Sequence, residues 1–195
     1  GWVVRAGKPA STLRTTAEQT DYVATGDYAE VLRWCRELPE VFPFRARCDE
    51  IGRTSQGRPL LAIVGSPSGA LTPAAARSEG HPVLLVQAGI HSGEIEGKDA
   101  GLAFLRDYLA GKLGPASATV VFVPVLNPDG HERRTANNRP NQRGPREMGF
   151  RTNGQNQNLN RDWAKAETAE VRAVLSLMNR WDPDLFVDLH TTDGA

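Results

Sequence analysis

The sequence predicts an α/β fold: a mixed, mostly parallel central sheet with helices on both faces. From Val83 onward, apolar runs of strand length alternate with amphipathic helical patterns, which is typical of crossovers between parallel strands. Before Val83, two strand-like runs are joined by a turn-rich segment at residues 52–57, which indicates a hairpin at an antiparallel edge. A chain of 195 residues suits one domain, or part of a larger one.

The charge balance and the apolar runs exclude two classes of partner. Lysine and arginine together number 23, as do aspartate and glutamate, so the formal net charge is zero and no long-range field favours nucleic acid. No apolar run approaches the roughly 20 residues of a membrane-spanning helix. Residues 1–24 show no sustained periodicity and are predicted to form a surface lead-in, followed by one domain over residues 25–195.

The remaining elements follow in chain order. A helical pattern begins after Asp27, which lies in a capping cluster, and Pro39 is expected to end it. A second helix is expected between Glu94 and Gly111, and a third over residues 165–181. The predicted strands span residues 44–51, 59–64, 83–86, 119–125 and 185–189.

One long segment lacks any period. Residues 131–160 are rich in Asn, Arg, Gln, Gly and Pro, and the Asn-Pro-Asp-Gly sequence at residues 127–130 is expected to break the strand before them. A loop of this length is uncommon inside a compact domain and is usually functional.

The chain has two cysteines, Cys35 and Cys48. They could form a disulfide or remain two buried thiols. Because no Cys-x-x-Cys spacing is present, we favour two thiols.

Three candidate metal ligands lie where predicted strands end. His91 and Glu94 follow the third strand, three residues apart, and His190 follows the last strand. Ligands bind at the carboxyl ends of strands in open α/β sheets, so these side chains are expected to converge. A catalytic zinc takes three protein ligands and leaves one position for water, whose pKa it lowers to about 7. A His and a Glu three residues apart, or a single His at a strand end, often occurs without a metal. Only the occurrence of both at one sheet edge favours a metal site.

A second cluster of residues suits a carboxylate ligand. Asn160 offers an amide and Arg161 a forked guanidinium, although Arg161 could equally pair with Asp162 in solvent. The preceding loop is basic, and one or two of its arginines could polarise a substrate carbonyl. These arginines are Arg133, Arg134, Arg139, Arg143, Arg146 and Arg151.

Four motifs, in this order, resemble the zinc carboxypeptidases of the M14 (carboxypeptidase A-like) family. They are His-Ser-Gly-Glu at residues 91–94, Asn-Pro-Asp-Gly at residues 127–130, the pair Asn160-Arg161, and His190. The resemblance covers most of the chain, from about residue 20 onward. It implies a zinc carboxypeptidase-like fold in which His91, Glu94 and His190 bind Zn²⁺, which is the established ligand set of carboxypeptidase A.

The same resemblance implies a substrate and a location. The substrate would be a peptide, or a peptide-like molecule, whose free C-terminal carboxylate is held by Asn160 and Arg161. A gap-free count from the Asn-Pro-Asp-Gly motif places Gln142 at the family's carbonyl-polarising arginine, so adjacent Arg143 and nearby Arg139 are the candidates for that role. The resemblance also implies an extracellular or periplasmic location.

Two departures from the family pattern bear on activity. The family often has an aspartate two residues before the Asn-Arg pair, where this chain has Asn158, whose amide oxygen could still accept a hydrogen bond from a zinc-binding imidazole. The family's general-base glutamate and substrate-capping tyrosine lie well beyond the last ligand, whereas the chain ends at Ala195. We therefore expect the N-terminal portion of a catalytic domain, incomplete at its C-terminal side, that binds zinc but hydrolyses peptides very slowly or not at all.

Two other functions stay open. A zinc-dependent N-acyl amino acid deacylase of the aspartoacylase type shares the His, Glu, His pattern, although residues 127–130 and the length of the loop before Asn160 favour the peptidase. A carboxypeptidase-like domain could also bind zinc or a carboxylate without turnover.

Overall fold

A mixed sheet of five strands lies at the centre of the structure, which is a computed structural model that describes residues 9–114 and 117–191. The strands are β1 (Ala46–Arg53), β2 (Pro59–Gly65), β3 (Val83–Ala88), β4 (Thr119–Val123) and β5 (Leu185–Leu189), in the spatial order β1-β2-β4-β3-β5. β2 is antiparallel to both of its neighbours, β1 and β4, while β4, β3 and β5 are parallel to one another. The predicted fold class, a mixed and mostly parallel sheet, is confirmed.

Six α-helices accompany the sheet in the described residues. They are α1 (Thr16–Gln19), α2 (Tyr28–Val41), α3 (Pro73–Ser78), α4 (Glu96–Leu109), α5 (Pro128–Glu132) and α6 (Ala169–Trp181). Within the part of the chain that the structure describes, no helix combines the length and the apolar character needed to cross a membrane.

Both faces of the sheet are covered by helices. Leu177 of α6 belongs to one apolar cluster with Val121 of β4, whereas Leu105 of α4 belongs to a second cluster with Phe122, the next residue of the same strand. Successive strand residues point to opposite faces, so β4 is buried on both sides. That burial explains why the strand reads as a continuous apolar run in the sequence.

Helix α2 extends past the residue that was expected to end it. Asp27 caps its start by accepting a hydrogen bond from the Glu30 backbone N–H, as predicted. Pro39 was expected to stop the helix, but it lies inside α2, which continues to Val41. Proline removes its own N–H from the helical ladder and its ring crowds the carbonyl four residues earlier, but the Phe42 backbone N–H still donates to the Leu38 carbonyl. One lost bond so near the end does not terminate the helix.

The Asn-Pro-Asp-Gly motif starts a helix as well as ending a strand. The Asn127 side chain accepts a hydrogen bond from the Gly130 backbone N–H, and Pro128 occupies the first helical position of α5. Beyond α5 the loop is long, as predicted, with an isolated bridge between Thr135 and Met148 and a 3₁₀ turn at Leu159–Arg161.

The segment before α2 packs partly against the domain. Residues 1–8 of the predicted lead-in lie outside the described residues, as do residues 192–195 of the predicted domain. Leu13 is fully buried, and its carbonyl accepts a hydrogen bond from Arg106 of α4. The division of the chain at residue 24 stays a prediction.

The two cysteines form a disulfide, so the prediction of two thiols was wrong. Cys35 on α2 and Cys48 on β1 have Cα atoms 5.3 Å apart, within the usual range for a disulfide. The packing of α2 against β1 creates this proximity, and spacing along the sequence does not reveal it.

Candidate metal centre

The fold brings the three predicted ligands to one point. His91 and Glu94 follow β3, and His190 follows β5; the two strands are parallel neighbours, paired through Ala88 and Leu189. The carboxyl ends of β3 and β5 therefore lie at the same edge of the sheet. One ligand atom from each of the three side chains lies within 4.8 Å of the other two.

Both imidazole rings turn the same nitrogen toward the carboxylate. The Nδ1 atom of His91 is 3.0 Å from Glu94 Oε1, and the Nδ1 atom of His190 is 3.0 Å from Glu94 Oε2. Around a tetrahedral zinc with bonds of about 2.0–2.1 Å, ligand atoms lie about 3.3 Å apart. Two imidazole nitrogens and a carboxylate are also donors that zinc prefers, so the residues present fit this metal.

A tight turn between His91 and Glu94 sets this geometry. The Glu94 backbone N–H donates to the His91 carbonyl at 2.9 Å, and the Ser92 hydroxyl donates to the Asn127 carbonyl. At Gly93 a Cβ atom would lie 2.9 Å from a backbone oxygen of the neighbouring loop and 2.3 Å from the Arg139 side chain. The small residues of the motif therefore let the loop after β4 pack directly against the ligand turn.

The Nε2 atoms of both histidines contact hydrogen-bond acceptors on the outer side of the centre. The Nε2 atom of His91 lies 3.2 Å from Asn158 Oδ1, the contact that the sequence analysis anticipated. The Nε2 atom of His190 lies 3.0 Å from Asp188 Oδ2, a contact that the sequence analysis missed. The sequence contains a signal for this contact, because Asp188 and His190 are two residues apart and residues two apart on a strand point to the same side.

The environment of Glu94 keeps its carboxylate ionised. Burial alone would raise its pKa, but hydrogen bonds from His91 and the Thr191 backbone N–H, together with the charges of His91 and Arg139, lower the pKa of Glu94 to about 2. A metal ligand of this type must be deprotonated, and this environment favours the deprotonated carboxylate.

Only one of the two candidate arginines reaches the centre. The Nη1 atom of Arg139 lies 3.2 Å from Glu94 Oε1. Arg143 instead lies in the wall of a groove of about 810 Å³, together with Glu96 and Phe104. None of the three predicted ligands lines that groove.

The predicted carboxylate-binding pair lies next to the centre, in the 3₁₀ turn Leu159–Arg161. The Asn160 backbone N–H donates to the same Asn158 oxygen that contacts His91, at 3.1 Å. The Asn160 side-chain oxygen accepts a hydrogen bond from the Trp163 indole at 3.3 Å. Arg161 is exposed, and its Nη1 donates to the Asn160 carbonyl. The guanidinium is therefore accessible to a ligand in solution.

Comparison with known families gives one extended match. The family model described as zinc carboxypeptidase, Peptidase_M14, matches residues 31–195. No curated protein sequence matches the chain.

Solved structures share the fold over most of the chain. A metallo-carboxypeptidase from Burkholderia cenocepacia is 24% identical with a TM-score of 0.64, and the match covers 86% of this chain and 41% of that one. Carboxypeptidase A from Helicoverpa armigera is 19% identical with a TM-score of 0.62, covering 86% and 46%. A metallo-carboxypeptidase from Pseudomonas aeruginosa, in complex with (2-guanidinoethylmercapto)succinic acid, is 25% identical with a TM-score of 0.55, covering 86% and 40%. The chain thus spans less than half the length of each of these proteins.

Proposed function

This chain belongs to the zinc carboxypeptidase family Peptidase_M14, and from that premise we propose that it holds the zinc site of a metallocarboxypeptidase that removes C-terminal residues from peptides. The observation that carries the proposal is the convergence of His91, Glu94 and His190, with both Nδ1 atoms 3.0 Å from the Glu94 carboxylate. Family membership supports the peptidase over the acyl amino acid deacylase.

Different side chains have different proposed roles at the metal centre. His91, Glu94 and His190 would hold Zn²⁺, which when bound activates a water molecule and polarises a substrate carbonyl. Asn158 would accept from the outer nitrogen of His91 and so orient that ring.

Neighbouring residues support recognition of a peptide C-terminus. Arg161 is exposed beside Asn160, and a guanidinium next to an amide suits a carboxylate. Of the two candidates for polarising the scissile carbonyl, Arg139 is favoured because it lies at the centre, whereas Arg143 lies in the separate groove.

Two further proposals concern activity and location. The family resemblance places the general base beyond His190, so we propose that the 195-residue chain alone hydrolyses peptides very slowly or not at all. The disulfide between Cys35 and Cys48 supports an extracellular or periplasmic location, since such bonds persist in oxidising compartments.

Zinc content and affinity of the purified chain test the proposed site. We expect one zinc per chain in the wild type. In His91→Ala and His190→Ala we expect a loss of affinity greater than the roughly 10- to 100-fold that removal of an outer-shell partner costs. His81→Ala is the matched control, because His81 lies just before β3 and contacts Glu79 instead of the centre. A wild type without zinc, or an equal loss in His81→Ala, would contradict the proposal.

Activity is tested separately on a protein in which this chain is joined to the C-terminal portion of a Peptidase_M14 catalytic domain. We expect it to trim C-terminal residues from peptides and to lose that activity when the carboxylate is amidated, because Asn160 and Arg161 would lose their ligand. Preferential deacylation of an N-acyl amino acid would instead favour the deacylase.

A further inference from the structure

His190 is held between two carboxylates. Its Nδ1 atom lies 3.0 Å from Glu94 Oε2, and its Nε2 atom lies 3.0 Å from Asp188 Oδ2. Asp188 and His190 are two residues apart at the end of β5, so their side chains point to the same side of the chain. The geometry of the strand end therefore places Asp188 beside His190.

The Asp188 carboxylate is itself held in place from the neighbouring strand. Gln87 of β3 is paired with Asp188 in the parallel register, and its Nε2 donates to Asp188 Oδ1 at 3.0 Å. Gln87 is fully buried. One carboxylate oxygen is thus fixed by the core of the sheet, which leaves the other directed at His190.

The two predicted histidine ligands differ in what supports them. His91 is nearly buried, with 4% of its side chain exposed, and its Nε2 contacts the neutral amide of Asn158. The side chain of His190 is 34% exposed, and its Nε2 contacts a carboxylate. Packing restrains the ring of His91, whereas the more exposed ring of His190 needs a stronger partner to resist competition from water.

We propose that Asp188 is a positioning residue that, with Gln87 behind it, fixes the His190 ring for metal binding. This inference rests on the proposed function. An Nε2–H donated to Asp188 places the ring proton on the outer side and leaves the Nδ1 lone pair directed toward Glu94 and the centre. The negative charge also makes the imidazole a stronger donor to a cation.

Zinc affinities of Asp188 variants of the purified chain test this role. We expect Asp188→Ala to weaken zinc binding by about 10- to 100-fold, the usual effect of removing such a partner. Asp188→Asn is expected to recover part of the loss, because its amide oxygen can still accept from Nε2. The matched control is Asp184→Asn, since Asp184 lies just before the same strand and accepts from the Val83 backbone N–H, away from the centre.

Spectra of the cobalt-substituted chain separate positioning from stability. We expect Asp188→Ala to change the visible Co²⁺ absorption bands, which report ligand geometry, while the metal-free variant unfolds close to the wild-type midpoint. Asp184→Asn should leave the bands and the zinc affinity unchanged. Wild-type zinc affinity and an unchanged cobalt spectrum in Asp188→Ala would overturn this inference but leave the proposed function standing. An equal loss of zinc affinity in Asp184→Asn would do the same. A wild type that binds no metal would overturn the proposed function together with the inference.

Discussion

The guanidinium of Arg139 faces the carboxylate of Glu94, with Nη1 3.2 Å from Oε1, while the other carboxylate oxygen contacts His190. A positive charge therefore lies beside the point where a zinc ion would bind. It helps to keep Glu94 ionised, but it also repels a cation and competes with it for the carboxylate. These two effects make Arg139 an informative position for mutation.

We predict that Arg139→Gln tightens zinc binding. Removing one positive charge near the ion is worth about 1–2 kcal/mol, which is roughly ten-fold in affinity. Competition with a zinc chelator measures the change. Arg146→Gln is the control, because Arg146 is an exposed arginine of the same loop. Weaker zinc binding in Arg139→Gln would show that the guanidinium supports the ligand geometry more than it repels the metal.

The acceptor on the other histidine gives a second prediction. Asn158 Oδ1 contacts His91 and also accepts from the Asn160 backbone N–H. We expect Asn158→Ala to weaken zinc binding by roughly ten-fold and Asn158→Asp to strengthen it, because a carboxylate is the better partner for a metal-binding imidazole. The exposed Asn137, mutated to alanine, serves as the control. Equal affinities for the Ala and Asp variants would refute a role for this contact.

Loss of the disulfide should lower stability. Cys35 and Cys48 are 13 residues apart, and closing a loop of this size in the unfolded chain is worth about 3 kcal/mol. We predict that the double variant Cys35→Ala, Cys48→Ala loses about that much free energy of unfolding in urea titrations. Reduced wild-type protein should approach the double variant. Two titratable thiols in the native, unreduced chain would contradict the bond itself.

The acid stability of the chain should depend on Asp107. Hydrogen bonds from Arg106, the largest cause, and from Lys112 hold the pKa of Asp107 at about 2, below its ordinary value of 3.8. A carboxyl with a depressed pKa stabilises the fold above its unfolded-state value and loses that contribution as the pH falls through the folded-state value. The stabilisation is therefore complete above about pH 4 and disappears toward pH 2.

Unfolding free energies measured between pH 2 and pH 6 check this dependence. We expect Asp107→Asn to be less stable than the wild type near neutral pH and to converge with it near pH 2. The exposed Asp182, mutated to asparagine, is the control. A constant difference across the whole pH range would show that Asp107 contributes by packing and not by its charge.

The sequence by itself determined the fold class and the three residues that converge at the sheet edge. Apolar periodicity is local, and it marks where a strand ends and a helix begins. Since parallel strands end at one edge, His91 and His190 could be expected to meet from their positions alone. The structure brings them together with Glu94 as expected.

Only the tertiary structure decided which further side chains reach the centre. The proximity of Arg139 but not Arg143 to Glu94 depends on the path of the long loop, and the disulfide of Cys35 and Cys48 likewise depends on contacts between separate elements. The short distance between His190 and Asp188 depends on how β5 ends. Such contacts follow from the register of strands, the angle of a helix on the sheet and the path of a long loop. Local periodicity in the sequence does not determine strand register, helix angle or loop path, because these depend on how the whole core packs.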